Sequence, residues 1–163
     1  MSFIRSAVSA VIEDSAGRVL LCQQRQGHRL WSLPGGRTRV DESPVDAVIR
    51  DIREESGIEA RVVDLVGLYH LTGDGCGEGV PDLYVHVFRA TLVAGEAALN
   101  APGRICRLAW WEPHELPEPL TATTRTAILD ATAGRSGVVQ DVERDAEPEI
   151  PEAVDTDTPT VTR

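Results

Sequence analysis

Residues 36–58 read Gly36-Arg37-Thr38-Arg39-Val40-Asp41-Glu42-Ser43-Pro44-Val45-Asp46-Ala47-Val48-Ile49-Arg50-Asp51-Ile52-Arg53-Glu54-Glu55-Ser56-Gly57-Ile58. A helix is marked here at both ends. Ser43 is a candidate N-cap, Pro44 suits the first helical position, and Asp46 stands where a capping box carries its acid. Val45, Val48, Ile49 and Ile52 recur at helical spacing as an apolar stripe, and Gly57 can close the C-terminus. On a helix from Ser43 to Ser56, Asp51, Glu54 and Glu55 fall at i, i+3 and i+4. They are expected to form one acidic patch in the last turns, turned away from the apolar stripe.

That patch is electrostatically poor for a purely structural helix. Carboxylates at a helix C-terminus oppose the macrodipole by about 0.3–1 kcal/mol each. Like charges at this spacing repel by roughly a few tenths of a kcal/mol more. A divalent cation reverses both signs, because magnesium and manganese favour clustered hard oxygen ligands. The plain alternative is a solvated acidic face relieved by Arg50 and Arg53.

Working outward, Ser6 to Ile12 and Arg18 to Gln23 read as two strands around the turn at residues 13–17. Residues 24–36 look irregular and contain Trp31 and Leu33-Pro34-Gly35-Gly36. Downstream, Ala60 to Tyr69, Asp82 to Val93 and Ile105 to Trp111 are strand-like, with a Gly-rich loop from Leu71 to Pro81 and a connection from Gly95 to Gly103. Thr121 to Thr132 suits a second helix closed by Gly134. Strands and helices mix in one core, an α+β or α/β/α arrangement over residues 1–136. Residues 137–163 are acidic and proline-spotted, and are expected to form a disordered tail.

Composition narrows the function. The chain has 163 residues, of which 42 % are apolar, as expected of one globular domain. No apolar run approaches the roughly 18 residues of a membrane span, and the N-terminus lacks a secretion-signal pattern, so the expected location is cytoplasmic with no membrane partner. The net charge of -10 disfavours nucleic acid as a partner. A polyanionic substrate would need metal ions or local arginines to enter the site. Cys22, Cys76 and Cys106 are scattered, which argues against disulfides and structural zinc. Cys22 and Cys106 lie in apolar runs and are expected in the core. His28, His70, His86 and His114 share no ligand spacing.

Gly36, five residues, Glu42, seven residues, Arg50, and then Asp51-Ile52-Arg53-Glu54-Glu55-Ser56-Gly57-Ile58 closely resembles the signature box of the Nudix hydrolases. Every defining position matches except Asp51, where that family has glutamate. The Leu33-Pro34-Gly35 lead-in and the Trp110-Trp111…Glu115-Leu116-Pro117 segment resemble the family more weakly. The resemblance implies a Nudix-type α/β/α sandwich with a mixed β-sheet. It also implies water attack at phosphorus in a nucleoside diphosphate derivative: a nucleoside triphosphate, ADP-ribose or a nucleotide sugar.

Carried over by position, the resemblance makes Glu54 and Glu55 ligands of a Mg2+ or Mn2+ ion, with the Gly36 carbonyl as a further ligand. Glu42 would brace the loop–helix unit through Arg50, Arg50 would orient the neighbouring carboxylate, and Gly57 would end the helix. A carboxylate, Glu54 or Asp51, would take the proton. Asp51 keeps the charge but is one methylene shorter, so it either joins the metal site or pairs with Arg50 or Arg53.

Arg104 stands where some relatives place another metal-binding glutamate, which leaves Asp74, Glu78 and Asp82 as replacement candidates. Arg104 could touch a substrate phosphate or merely end a strand. Arg25 could reach a phosphate or be exposed, and Trp31 could stack on a base or pack the loop. ADP-ribose is weakened as substrate by the lack of a proline about 15 residues beyond the box. The implied partner is a small-molecule nucleotide, with a homodimer as one possible assembly. A catalytically weak nucleotide sensor on the same fold is the alternative. An isoprenoid diphosphate isomerase lacks an appropriately placed cysteine–glutamate pair.

Overall fold

The computed structural model describes residues 5–73 and 81–145. In chain order the elements are β1 (Ser6–Glu13), β2 (Val19–Gln24), β3 (Trp31–Ser32), β4 (Gly35–Arg37), α1 (Pro44–Ser56), β5 (Glu59–Thr72), β6 (Leu83–Ala94), β7 (Ile105–Trp111), α2 (Ala122–Thr132) and β8 (Val138–Glu143). The strands form one mixed sheet in the order β3-β2-β1-β6-β5-β8, with β4 on β1 and β7 on β2. The β1–β6 and β5–β8 pairs are parallel, and the other pairs are antiparallel.

Strand alternation divides the core in two. Val8, Ala10 and Ile12 of β1, Leu20 of β2, and Phe88 and Ala90 of β6 face Ala47, Val48 and Ile52 of α1. Val11, Val19, Leu21, Val85 and Val87 face the other way, toward Ala127, Ile128 and Ala131 of α2. A sheet apolar on both faces needs a cover on each. The result is the expected α/β/α sandwich.

One strand junction shapes the site. β1 and β2 share only the Glu13↔Val19 pair, and β4 takes up the remaining edge of β1 at Ala7–Ser9. Gly35 makes this possible, since a Cβ there would lie 2.0 Å from the Val8 carbonyl oxygen.

Two expectations are corrected. Residues 138–143 belong to the fold and not to a tail: β8 runs beside β5 from Gly67↔Val138 to Thr72↔Glu143. Val142 is buried in the α2-side core while Val139, Gln140, Asp141 and Glu143 face solvent. The outward acids disguise an edge strand whose backbone is satisfied by β5. Residues 146–163 lie outside the described residues. Second, the buried face of α1 is Ala47, Val48, Asp51, Ile52, Glu55 and Ser56, whereas Val45 is exposed. Two of the three acids therefore face inward. Among the described residues, no helix is long and apolar enough to cross a membrane.

Candidate functional site

The signature helix is capped as its sequence suggests. The Ser43 hydroxyl accepts from the Asp46 N–H at 3.1 Å, and Pro44 occupies the first turn. At the other end Gly57 adopts φ 72°, the left-handed conformation glycine tolerates best, and donates to the Arg53 carbonyl at 2.9 Å. The remaining terminal carbonyls are capped from afar. Asn100 Nδ2 donates to Arg53 O and Glu54 O at 3.3 and 3.1 Å. The Asn100 and Ala98 N–H groups donate to Glu55 O and Ser56 O at 3.1 and 3.0 Å. The connection between β6 and β7 thus closes the negative end of α1.

That anchoring sets two of the three carboxylates, Asp51 and Glu55, against β4 and β2. Glu55 is 5 % exposed. Its Oε2 accepts from the Gly35 N–H at 3.2 Å and lies 3.7 Å from Cys22 Sγ, while Oε1 lies 3.8 Å from Arg104 Nη2. Burial pushes the Glu55 carboxyl up to about 7, only partly offset by the Gly35 N–H. Burial first, and then the Glu55 carboxylate, hold the Cys22 thiol well above its usual range.

Asp51 is buried; its Oδ1 accepts from Arg50 Nη2 at 3.2 Å, and its Oδ2 has no partner. Oδ2 points at Gly36, where an added Cβ would stand 3.0 Å away. Burial raises the Asp51 pKa, with Arg50 pulling it back. Glu54 is half-exposed and lies near Arg39 Nη2 at 3.4 Å and Arg50 Nε at 3.9 Å.

Arg50 ties the unit together. Its Nη1 binds Glu42 Oε1, and its Nη2 reaches the Arg37 carbonyl at 3.3 Å as well as Asp51. The Arg50 hydrogen bond is the main cause of the lowered Glu42 pKa. Arg53 plays no part among the acids; it pairs with Glu59 at 2.6 Å. The partner of Asp51 is therefore Arg50.

The fold brings Gly36, Glu42, Arg50, Asp51, Glu54, Glu55 and Gly57 into one loop–helix unit. The three candidate substrate contacts separate. Trp31 is 2 % exposed and packs edge-on against Trp111 with ring centroids 5.3 Å apart, so it is a core residue with no face free for a base. Arg25 donates through Nε to the Pro102 carbonyl at 2.5 Å and clamps a loop. Arg104 reaches the site: with Cys22, Gln24, Ser32, Gly35 and Glu55 it lines a cleft of about 300 Å³. Of the replacement acids, Asp82 pairs with His70 at 3.7 Å, while Asp74 and Glu78 lie outside the described residues. Cys106 is half-buried, short of the full burial expected.

Three residues of the site escaped sequence reading. Cys22 meets Glu55 only through the fold, across 33 positions of chain. Asn100 lies in a connection without periodicity, and Arg39 meets Glu54 through the path of the 37–43 loop. Only the presence of a basic residue inside the signature spacing could have hinted at Arg39.

The donor set suits a hard divalent cation in its chemistry. All the acceptors are oxygens, and Asp51 Oδ2 is a buried acceptor left without a partner beside the Gly36 backbone. Among the described residues, however, no three His, Cys, Asp or Glu side chains converge closely enough to enclose a metal alone. Magnesium commonly takes only one or two carboxylates and completes its shell with water and substrate phosphate. The residues fit that mode of binding.

A sequence model of the NUDIX domain family matches residues 4–131. A MutT-like protein of Streptomyces ambofaciens is 30 % identical over 128 residues, spanning 78 % of this chain and 77 % of the relative. A CTP pyrophosphohydrolase of Escherichia coli (strain K12) is 32 % identical over 127 residues, 76 % of this chain and 87 % of that one. Among solved structures, a MutT NUDIX hydrolase from Burkholderia pseudomallei is similar with a TM-score of 0.72 and 29 % identity, covering 79 % of this chain and 98 % of that one.

Proposed function

The chain belongs to the NUDIX hydrolase family, and from that premise we propose that it is a Mg2+- or Mn2+-dependent pyrophosphohydrolase cleaving a phosphoanhydride of a nucleoside diphosphate derivative. One observation carries the metal assignment: the unpartnered, buried Asp51 Oδ2 against Gly36, one helical turn before the Glu55 that lines the cleft. A buried carboxylate oxygen without a donor is costly unless a cation completes it.

The candidate ligands are Asp51, Glu54, Glu55 and the Gly36 carbonyl, of which an ion would take one or two carboxylates and complete its shell with water and substrate phosphate. A divalent ion bound there supplies charge neutralisation at the phosphates and a water of lowered pKa. The protein's own groups do the rest. Glu54 is the acid open to solvent, at 41 % side-chain exposure, and takes the proton as water adds to phosphorus. Arg50 holds Asp51 and Glu54 in place, and Glu42 holds Arg50. Gly57 fixes where the helix stops and therefore where Glu54 and Glu55 stand.

The substrate is a small nucleotide. The relative named as a CTP pyrophosphohydrolase puts nucleoside triphosphates first in the test, followed by ADP-ribose and nucleotide sugars. Purified protein with Mg2+ or Mn2+ is incubated with each, and the products are identified. Release of a nucleotide and its complementary phosphate, abolished in Glu54→Gln and Glu55→Gln, supports the proposal. Nucleotide binding without turnover would favour the sensor alternative.

A further inference from the structure

The cleft contains one feature that the hydrolase reading leaves unused. Among the described residues lining it, Arg104 is the sole cation. Its backbone is fixed: the N–H donates to Ala101 O at 3.0 Å, and its carbonyl accepts from the Arg25 N–H at 2.9 Å. Arg25 also holds the preceding turn through Pro102 O. The side chain is free by contrast. It is 56 % exposed, and its nearest approach to Glu55 Oε1, 3.8 Å, is an ion pair without a hydrogen bond. A guanidinium so placed keeps its donors available for a planar pair of anionic oxygens.

Resting on the hydrolase reading above, we propose that Arg104 is a substrate-positioning residue that exchanges between two anions, pairing with Glu55 in the empty cleft and with a substrate phosphate in the filled one. Glu55 cannot serve Arg104 and a divalent cation equally, because the two positive charges compete for one carboxylate. Metal uptake therefore releases Arg104 toward the phosphates, and a phosphate that captures Arg104 frees Glu55 for metal. The two binding events are reciprocally coupled through this one side chain. A polyanion entering the cleft meets a cation that was already neutralising Glu55 on its wall.

The test measures Mn2+ affinity of the full chain without nucleotide, by calorimetry or paramagnetic resonance, alongside steady-state kinetics on the best substrate of the panel. Arg104→Gln is expected to bind Mn2+ about two- to fivefold tighter, the scale of an exposed charge pair. It is also expected to raise KM about tenfold, with a smaller change in kcat. Arg104→Lys is expected to keep Mn2+ affinity near wild type and to recover part of the KM loss. Unchanged or weaker Mn2+ binding in Arg104→Gln overturns the exchange, even if KM rises. Wild-type protein that takes up Mn2+ and turns over substrate while Arg104→Gln matches it in both overturns the exchange alone. Wild-type protein that does neither overturns the hydrolase reading and the exchange with it.

Discussion

Glu55→Gln tests the electrostatics of the site without reference to any substrate. Burial raises the Glu55 carboxyl from an ordinary 4.5 to about 7. At about 1.4 kcal/mol per pH unit, that difference destabilises the ionised, metal-free protein by about 3 kcal/mol. Because the folded-state value lies above the unfolded one, the neutral carboxyl's contribution is fully present below about pH 4.5. It is lost as the pH rises through about 7. Glutamine stays neutral, keeps the shape, and can still accept from the Gly35 N–H. In chelator-treated protein at pH 8 the variant should therefore be more stable than wild type by up to about 3 kcal/mol. For a domain of this size that is about 6–12 °C in Tm. Repulsion from the neighbouring Asp51 is one part of the rise in the Glu55 pKa and is relieved together with it. The difference should shrink steadily toward pH 5. Thermal and urea unfolding at pH 5, 6, 7 and 8 measures it, and Mn2+ should then raise the wild-type Tm more than the variant's. A variant no more stable than wild type at pH 8, or a difference that ignores pH, would refute the reasoning.

Three further changes probe the frame around the site. Gly35→Ala forces a Cβ to 2.0 Å from Val8 O; unfolding curves should show a loss of at least about 3 kcal/mol or no folded protein, as expected when a main-chain approach must open. Asn100→Ala removes both side-chain caps on α1; circular dichroism in urea should report about 1–2 kcal/mol less stability, and a value near zero would remove the β6–β7 connection from the helix's support. Truncation after Gly137 deletes β8 and uncovers the edge of β5; the shortened chain should melt lower, and an unchanged Tm would reassign β8 to the status of an appendage.

Much of α1 and of the candidate site was legible because its determinants are local. Ser43, Pro44 and Gly57 act through hydrogen bonds to their own neighbours, so a helix of 13 residues was bounded at both ends. β7 from Ile105 to Trp111 was likewise visible as a short apolar run. The signature spacing placed Gly36, Glu42, Arg50, Asp51, Glu54 and Glu55 near one another, because residues 36–58 form one continuous loop and helix.

Burial was not legible. Helical spacing alone cannot say which arc of α1 faces inward. Contact with β1, β4 and β5 decided it, leaving Val45 outside and bringing Asp51 and Glu55 in. β8 was hidden because an edge strand needs only one or two inward apolar residues, and its outward acids dominate the composition. Arg104 meets Glu55 across 49 positions of chain only because β7 runs beside β2. The sequence by itself determined which groups are present and how α1 begins and ends. The tertiary structure decided which of those charges lose their water, and desolvation by distant strands is what makes the carboxylates a site.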